Sequence, residues 1–245
     1  MTGIRFKTWA ATHVGTVRSH NEDAFVSRPD AGLWAVADGA GGHAKGEVAS
    51  AMVADALEAI ASDLPAAALL AEVRSRITDA HAALRSQAEA SGGQDICATT
   101  VVVLIARDDH FACLWAGDSR GYLLRDGALT QITRDHSLVQ ELVDAGAITE
   151  AEAEHHPHAN VITRAVGSEA EELELDKVTD RLTVGDRFLL CSDGLCKTLA
   201  ERDLMTLLTV PGDVELADTL IHAALEHHVR DNVTAVVVEA RAADI

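Results

Sequence analysis

Strand-like apolar runs that meet an aspartate at one end recur along this chain. L-W-A-V-A-D-G, A-C-L-W-A-G-D-S and F-L-L-C-S-D-G run into Asp38, Asp118 and Asp193, and D-N-V-T-A-V-V-V begins at Asp231. Buried strands are rigid, so carboxylates at the ends of several strands can be held close together only if a cation offsets their repulsion. A single Asp-Gly pair indicates only a turn. The recurrence predicts a site for divalent cations with oxygen ligands.

A second segment, V-G-T-V-R-S-H-N-E-D-A-F at residues 14–25, places Arg18 four residues ahead of Glu22 and Asp23. The planar guanidinium of arginine can donate parallel hydrogen bonds to two phosphate oxygens. Alone, Arg18 is typical of a solvated surface charge. Beside Glu22 and Asp23, which could hold metal-bound waters, it predicts a phosphate site next to the metals.

In order and spacing, these motifs resemble the metal-dependent protein phosphatases of the 2C type in their bacterial form, over nearly the whole chain. The motifs are R-S-H-N-E-D at 18–23, V-A-D-G-A-G-G-H at 36–43, A-T-T at 98–100, G-D-S-R at 117–120, S-D-G-L at 192–195 and D-N-V-T at 231–234. The resemblance implies an α+β fold, a four-layer α-β-β-α sandwich. Two central antiparallel sheets would be flanked by helices, with a two-metal centre in a cleft at one end.

The resemblance also implies roles for individual residues. Asp38 would bridge two ions, either Mn²⁺ or Mg²⁺, and the carbonyl of Gly39 would ligate one of them. Asp193 and Asp231 would ligate the other. Glu22 and Asp23 would act through coordinated waters, and Arg18 would clamp the phosphate. Asp118 would help Asp193 to hold a third, weaker ion, although an aspartate in G-D-S-R could equally cap a turn.

The implied chemistry is hydrolysis of phosphoserine and phosphothreonine in proteins. Two ions about 3.5 to 4 Å apart would lower the pKa of a shared water, and no covalent phosphoenzyme is required. The chain departs from the family at Ala40, where relatives carry methionine or a histidine credited with protonating the leaving group. A metal-bound water is the preferred proton donor, with His43 as the alternative. Asn232 and Thr99 are expected to orient the ligands through hydrogen bonds rather than to take part in catalysis.

Composition predicts one catalytic domain over 1–245, because a chain of 245 residues with 48% hydrophobic content can bury a substantial core. The sequence has no apolar run long enough to span a bilayer and no secretion signal, so we expect a cytoplasmic protein without membrane association. Four cysteines without a C-x-x-C pair are expected to be reduced, and a monomer is expected.

A formal net charge of −19 argues against nucleic acid as a partner, since that affinity comes from clustered Lys and Arg. It also opposes the approach of a phosphorylated substrate. Two divalent ions and Arg18 would reverse the sign locally, so substrate binding is expected to depend on metal.

Hydrophobic periodicity predicts a helical hairpin over 47–64 and 65–90 and a two-sidedly buried strand after the polar link at 91–94. A strand, an Asp-Gly turn and another strand follow at 121–132. Further strands are predicted at 111–116, 188–192 and 233–239, and helices at 201–209 and 214–229. Residues 135–167 break the sheet pattern. They contain possible capping boxes at Ser137 and Thr149, and by resemblance they form a flap beside the site. The E-H-H-P-H tract at 154–158 could bind metal, but solvent-facing flap histidines are the favoured interpretation.

Three functions stay open on sequence alone. The favoured one is a phosphatase that opposes a bacterial Ser/Thr kinase and acts on the targets of that kinase; control of type VI secretion is one version of it. A catalytically silent phosphoprotein-binding module would predict loss of metal aspartates, and all the matched ones are present. A small-molecule phosphoesterase would require a narrow, enclosed pocket.

Overall fold

The computed structural model describes residues 4–41, 45–90, 97–210 and 214–243. Its strands are β1 (Ile4–His13), β2 (Asp23–Arg28), β3 (Leu33–Ala40), β4 (Ala98–Thr99), β5 (Val101–Arg107), β6 (His110–Ala116), β7 (Arg120–Arg125), β8 (Ala128–Gln131), β9 (Asp176–Arg181), β10 (Arg187–Cys191) and β11 (Val233–Ala242). Its helices are α1 (Lys45–Glu58), α2 (Ala66–Ala90), α3 (Leu138–Asp144), α4 (Glu150–Ala153), α5 (Asp193–Cys196), α6 (Glu201–Leu208) and α7 (Leu216–Glu226).

The strands form two antiparallel sheets. One has the order β1-β11-β10-β7-β8, and the other has the order β2-β3-β5-β6-β9 with β4 paired to β3. The inner faces of the two sheets pack against each other through aromatic and aliphatic side chains, among them Trp34, Leu104, Phe111, Phe188 and Val236. The core therefore lies between the sheets, where alternate residues of each strand are removed from water.

Helices cover both outer faces. α1 and α2 pack on the sheet that contains β3 and β5, through residues such as Val53, Leu57 and Ile77. α5, α6 and α7 pack on the other sheet, through residues such as Leu195, Leu204 and Leu220. The layers follow as α-β-β-α, which confirms the predicted fold class.

The first helix of the hairpin ends earlier than the periodicity suggests. α1 stops at Glu58, whereas the apolar pattern runs on to Leu64. Pro65 disfavours helical geometry at the residue before it. The guanidinium of Arg28 donates to the carbonyl oxygen of Glu58 at 2.9 Å, which satisfies one of the free carbonyls at this helix end.

The predicted turn and flap helices are present. Asp126 and Gly127 have φ of 52° and 79° between the paired residues Arg125 and Ala128, the geometry that an Asp-Gly hairpin turn requires. Ser137 caps α3 by accepting from the backbone of residue 140, and Thr149 begins α4 with a complete capping box.

The segment at 135–167, here called the flap, is attached to the sandwich at both ends. An isolated bridge joins Thr99 to Val166, and a second one joins Ser137 to Ile162 within the flap. The indole of Trp115 in β6 donates to the carbonyl oxygen of Arg134 at 2.8 Å. These contacts fix where the flap leaves and rejoins the sheets.

Sequence patterns did not indicate β1, β2 or β9. β9 is largely exposed and β1 is half-buried, so neither carries a continuous apolar run. The strand predicted at 188–192 ends at Cys191, and Asp193 becomes the first residue of α5. The predicted link at 91–94 lies outside the described residues.

The four cysteines carry no disulfide, as predicted. Within the described part of the chain, no helix has the length and apolarity that crossing a bilayer requires.

We expect Phe188→Ala to lower the free energy of unfolding by about 3–5 kcal/mol, because it would open a cavity between the sheets. Phe188 is fully buried, and its ring packs edge-on against that of Phe111, with the two ring centroids 4.8 Å apart. Urea denaturation followed by circular dichroism would measure the loss. Val184→Ala, at a side chain that is 50% exposed, should change stability by less than about 0.5 kcal/mol. Equal losses in the two variants would contradict this packing.

Candidate metal centre

The sequence-predicted aspartates meet at one end of the sandwich. Asp23, the first residue of β2, pairs directly with Asp38 near the end of β3. Asp118 follows β6, Asp193 follows β10, and Asp231 precedes β11. Because neighbouring strands are antiparallel, the last residues of one strand and the first residues of its neighbour lie at the same end of the sheet. The topology therefore gathers carboxylates that are far apart in the chain.

Asp38 lies at the electrostatic centre of this group. Desolvation raises the pKa of its carboxyl well above the ordinary value, and the negative charges of Asp23, Asp193, Asp118 and Asp231 raise it further. The residue keeps partial contact with solvent, yet the protein atoms around its carboxylate remove much of its hydration. In the absence of a cation, the surroundings of Asp38 therefore disfavour its charged form relative to that of an exposed aspartate.

Asp23 is held on one side only. Its Oδ2 accepts hydrogen bonds from the hydroxyls of Ser192 and Thr234, each at 2.7 Å. Its Oδ1 is buried and has no hydrogen-bond partner among the described residues. Burial raises the pKa of Asp23 to about 7 against the opposing effect of the two hydroxyls, and the charges of Asp193 and Asp231 add to the rise.

Arg18 and Asp231 form the open edge of the group. Nη2 of Arg18 donates to Oδ2 of Asp231 at 2.8 Å, and the two side chains are 54% and 43% exposed. Asn232 connects this edge to the loop that carries Glu22. Its side-chain oxygen accepts from the backbone N–H of Glu22 at 2.8 Å, and its amide nitrogen donates to the carbonyl oxygens of Val14 and His20. Asn232 therefore orients the loop of Arg18 and Glu22, the structural role expected of it.

Backbone contacts fix Asp38 and Gly39. The hydroxyl of Thr99 donates to the carbonyl oxygen of Asp38 at 2.9 Å, and the hydroxyl of Thr100 accepts from its N–H at 3.1 Å. Gly39 lies so close to the start of α1 that a Cβ there would approach the carbonyl oxygen of Gly46 to 2.2 Å. Only glycine fits at this point, which lets the backbone around Asp38 approach the helix.

The third part of the group contains a cation of the chain itself. Nζ of Lys197 lies 2.6 Å from Oδ2 of Asp193 and 3.1 Å from Oδ2 of Asp118. Asp118 is buried, and its other oxygen, Oδ1, has no hydrogen-bond partner in the described structure. Burial and the charge of Asp193 raise the pKa of Asp118 to about 6, although Lys197 counteracts the rise.

The oxygen donors suit hard divalent cations. Orphaned oxygens of Asp23 and Asp118 and the raised pKa of Asp38 show that positive charge is lacking where the carboxylates are densest. As they stand, no three acidic, histidine or cysteine side chains of the described ranges converge as the ligands of one ion. In this arrangement, Asp231 contacts Arg18, and Asp193 contacts Lys197 through its Oδ2.

Some predicted residues are not part of this arrangement. His43 lies outside the described residues, so its role as proton donor stays a prediction. In the E-H-H-P-H tract, His155 and His158 are exposed and His156 is half-buried, in accord with the solvent-facing interpretation. Asp118 and Gly39 lie beside Asp38, but their action as ligands also stays a prediction.

Sequence reasoning missed Lys197, Ser192 and Thr234. The i,i+4 spacing of Asp193 and Lys197 was a signal for the lysine, because such residues face each other on a helix. The two hydroxyls sit inside the quoted motifs S-D-G-L and D-N-V-T. No local pattern indicated that both would bind Asp23.

We expect Asp23→Asn to stabilise the metal-free protein at high pH. The folded-state pKa of about 7 exceeds the unfolded value, so wild-type stability is fully present below the unfolded pKa and is lost as pH rises through about 7. Asparagine avoids this loss. In chelator at pH 8, urea denaturation should show a gain on the order of 2 kcal/mol that shrinks toward pH 4.

Two controls accompany that measurement. Asp79→Asn, at an exposed position of α2, should show no such pH-dependent gain. At pH 8, Mn²⁺ should raise the free energy of unfolding of the wild-type protein by more than it raises that of Asp23→Asn. A wild-type protein whose stability in chelator matches that of Asp23→Asn at both pH values would refute the electrostatic account.

Comparison with known proteins places this geometry in a family. Residues 12–228 match the family model described as protein phosphatase 2C. The Ser/Thr protein phosphatase PstP of Mycobacterium tuberculosis is 41% identical over 225 residues, which are 92% of this chain but 43% of PstP. The chain thus spans less than half the length of that curated relative.

Solved structures agree with the family match. PppA, described as a key regulatory component of T6SS in Pseudomonas aeruginosa, is 41% identical with a TM-score of 0.90, and the match covers 98% of this chain and 100% of PppA. The catalytic domain of PstP in complex with two manganese ions is 37% identical with a TM-score of 0.86, covering 97% of this chain and 99% of that one. With its aspartates gathered at one end of an α-β-β-α sandwich, the chain belongs to the protein phosphatase 2C family.

Proposed function

We propose that this chain hydrolyses phosphoserine and phosphothreonine in proteins, with two divalent cations as cofactors. The observation that carries the proposal is a cluster of carboxylates around Asp38, with the guanidinium of Arg18 at its open edge. The other members of the cluster are Asp23, Asp118, Asp193 and Asp231. Carboxylates suit the metals, and the guanidinium suits a phosphate. The two manganese ions of the related PstP domain support the choice of cofactor.

Each of the two ions would have its own set of ligands. Asp38 and the carbonyl of Gly39 would hold one ion, Asp193 and Asp231 would hold the other with Asp38 between them, and Glu22 and Asp23 would hold coordinated waters. When bound, the two ions supply Lewis-acid activation of a water at neutral pH. The hydroxyls of Ser192 and Thr234 hold one oxygen of Asp23, and the other oxygen has no hydrogen-bond partner among the described residues.

Arg18 would bind and align the phosphate. In the described structure it makes one side-chain hydrogen bond, to Asp231, although a guanidinium has five N–H donors. Its exposure and free donors allow parallel bonds to two phosphate oxygens, which would hold the phosphorus for in-line attack. We assign no described side chain as the proton donor to the leaving group, because Ala40 stands where relatives carry methionine or histidine. A metal-bound water and His43 stay the two candidates.

Openness at the site favours a protein substrate over a small molecule. Arg18 and Asp231 are both more than two-fifths exposed, so the phosphate end of the group is accessible to an extended segment. A small-molecule phosphoesterase would require enclosing walls at this edge. The presence of every matched aspartate counts against a silent phosphoprotein-binding module.

The similarity to PppA supports a pathway for this chain. That protein is described as a regulator of type VI secretion, and the match to it extends over the whole of its chain. We therefore assign this chain, as part of the same proposal, to opposing a Ser/Thr kinase that controls type VI secretion. Other kinase pathways are alternatives for the same chemistry.

Hydrolysis of a phosphothreonine peptide tests the activity. With Mn²⁺ or Mg²⁺ the purified protein should release phosphate, and chelator should abolish the release. Asp38→Asn should lower kcat by at least about 100-fold, because it removes the carboxylate shared by both ions. Asp79→Asn is the matched control and should retain wild-type activity. Persistent turnover in chelator would contradict the metal mechanism, and a folded wild-type protein without turnover would favour the binding module.

Phosphoproteomics tests the pathway. Deleting the gene for this chain should raise phosphorylation of proteins of the type VI secretion apparatus, and expression of the wild-type chain should reverse it. Expression of Asp38→Asn should not. Unchanged phosphorylation of secretion proteins, with accumulation of other phosphoproteins, would reject this pathway and leave the activity intact.

A further inference from the structure

Lys197 occupies the position between Asp118 and Asp193 that the family resemblance gives to a third ion. It directly follows α5, and its Nζ contacts Oδ2 of Asp193 at 2.6 Å and Oδ2 of Asp118 at 3.1 Å. A third contact, at 3.1 Å, is made to the side-chain oxygen of Asn160 in the flap. An ammonium group has three donors, so these acceptors match its full bonding capacity.

The lysine also meets an electrostatic need. Asp118 is 3% exposed at its side chain and Asp193 is 19% exposed, so their negative charges lie close together with little water to screen them. A buried carboxylate is strongly destabilising unless it is paired. The side chain of Lys197 is itself 35% exposed, so its charge is only partly desolvated while it pairs with both carboxylates.

A divalent ion and this ammonium cannot share the site. Lys197 already contacts Oδ2 of both Asp118 and Asp193, and a second positive centre held between the same two carboxylates would be repelled by the ammonium. Departure of Lys197 would also break its bond to Asn160. The residues present therefore fit two ions around Asp38 better than they fit a third ion beside Asp118.

We propose that Lys197 is a built-in cation that replaces the third metal ion and ties the flap to the metal centre through Asn160. Lys197 is a positioning residue in this assignment. It sets the charge around Asp118 and Asp193 and the location of the flap without contacting the phosphate. The inference rests on the proposed two-metal site and specifies its composition.

Counting bound manganese tests the replacement. Equilibrium dialysis of the full chain, with free Mn²⁺ read by electron paramagnetic resonance, should give two ions per wild-type chain. Lys197→Met removes the charge while keeping an unbranched side chain, and it should add a third, weaker ion. Lys177→Met removes the same charge from an exposed position of β9, so it controls for general attraction of cations and should stay at two.

The outcomes separate this inference from the proposed function. Three ions on the wild-type chain, or two on a folded Lys197→Met, would overturn the replacement and leave the two-metal phosphatase standing. No ion on the wild-type chain would overturn the metal centre and the replacement together. Lys197→Arg keeps the positive charge and should therefore bind two ions. It provides the ion count if Lys197→Met does not fold. Three ions on Lys197→Arg would overturn the inference.

Hydrogen exchange tests the link to the flap independently. Asn160→Ala should bind two ions like the wild-type chain, because both carboxylates keep the ammonium. Amide exchange around residues 158–163 should become at least severalfold faster in Asn160→Ala and in Lys197→Met, but not in Lys177→Met. Unchanged exchange in both of the first two variants would overturn the role of Lys197 in holding the flap.

Discussion

Repulsion among carboxylates at one end of the sandwich is the constraint on which the rest of this structure depends. Asp38 stands directly across from Asp23 in neighbouring strands, and three more aspartates enter from other strand ends. Few arrangements of a folded chain keep so many like charges together without counter-charge. The chain supplies two cations of its own, Arg18 and Lys197. Buried oxygens of Asp23 and Asp118 have no hydrogen-bond partner in the described structure, and the proposed metal ions would supply further positive charge there.

Neutral groups make that arrangement rigid. Thr234 lies in β11, and Ser192 directly follows β10, the neighbouring strand of the same sheet. Both donate to Asp23, whose carboxylate begins a strand of the other sheet. Asp23 is thereby a point where the two sheets are joined by polar bonds rather than by apolar packing. The same hydrogen bonds that position a carboxylate of the proposed metal site also connect the two sheets at this end. A change at either hydroxyl should therefore disturb stability and metal affinity together.

The features that could be predicted from the sequence were those indicated by residues within a few positions of each other. Asp38 and Asp193 could be found because each ends a run of buried apolar residues, which is a pattern within a few positions. The layer order came from resemblance, and the structure bears it out. β9 could not be found, because an exposed strand that only pairs at a sheet edge carries no apolar period. The sequence spacing indicates only the contact of Lys197 with Asp193. Its other partners, Asp118 and Asn160, are 79 and 37 positions away, and only the folded chain brings them together.

A lysine differs from a metal ion in one respect that matters for regulation. Ions held at Asp38 in the proposed centre would exchange with solution, so their occupancy would follow the concentration and identity of the available metal. The ammonium of Lys197 is covalently part of the chain and cannot be chelated or diluted. Under the proposed assignment, its bonds to Asp193 on one side and Asn160 on the other would remain when the neighbouring ions dissociate. In this protein, metal supply would control the chemistry at Asp38, whereas the placement of the flap beside it would be independent of metal.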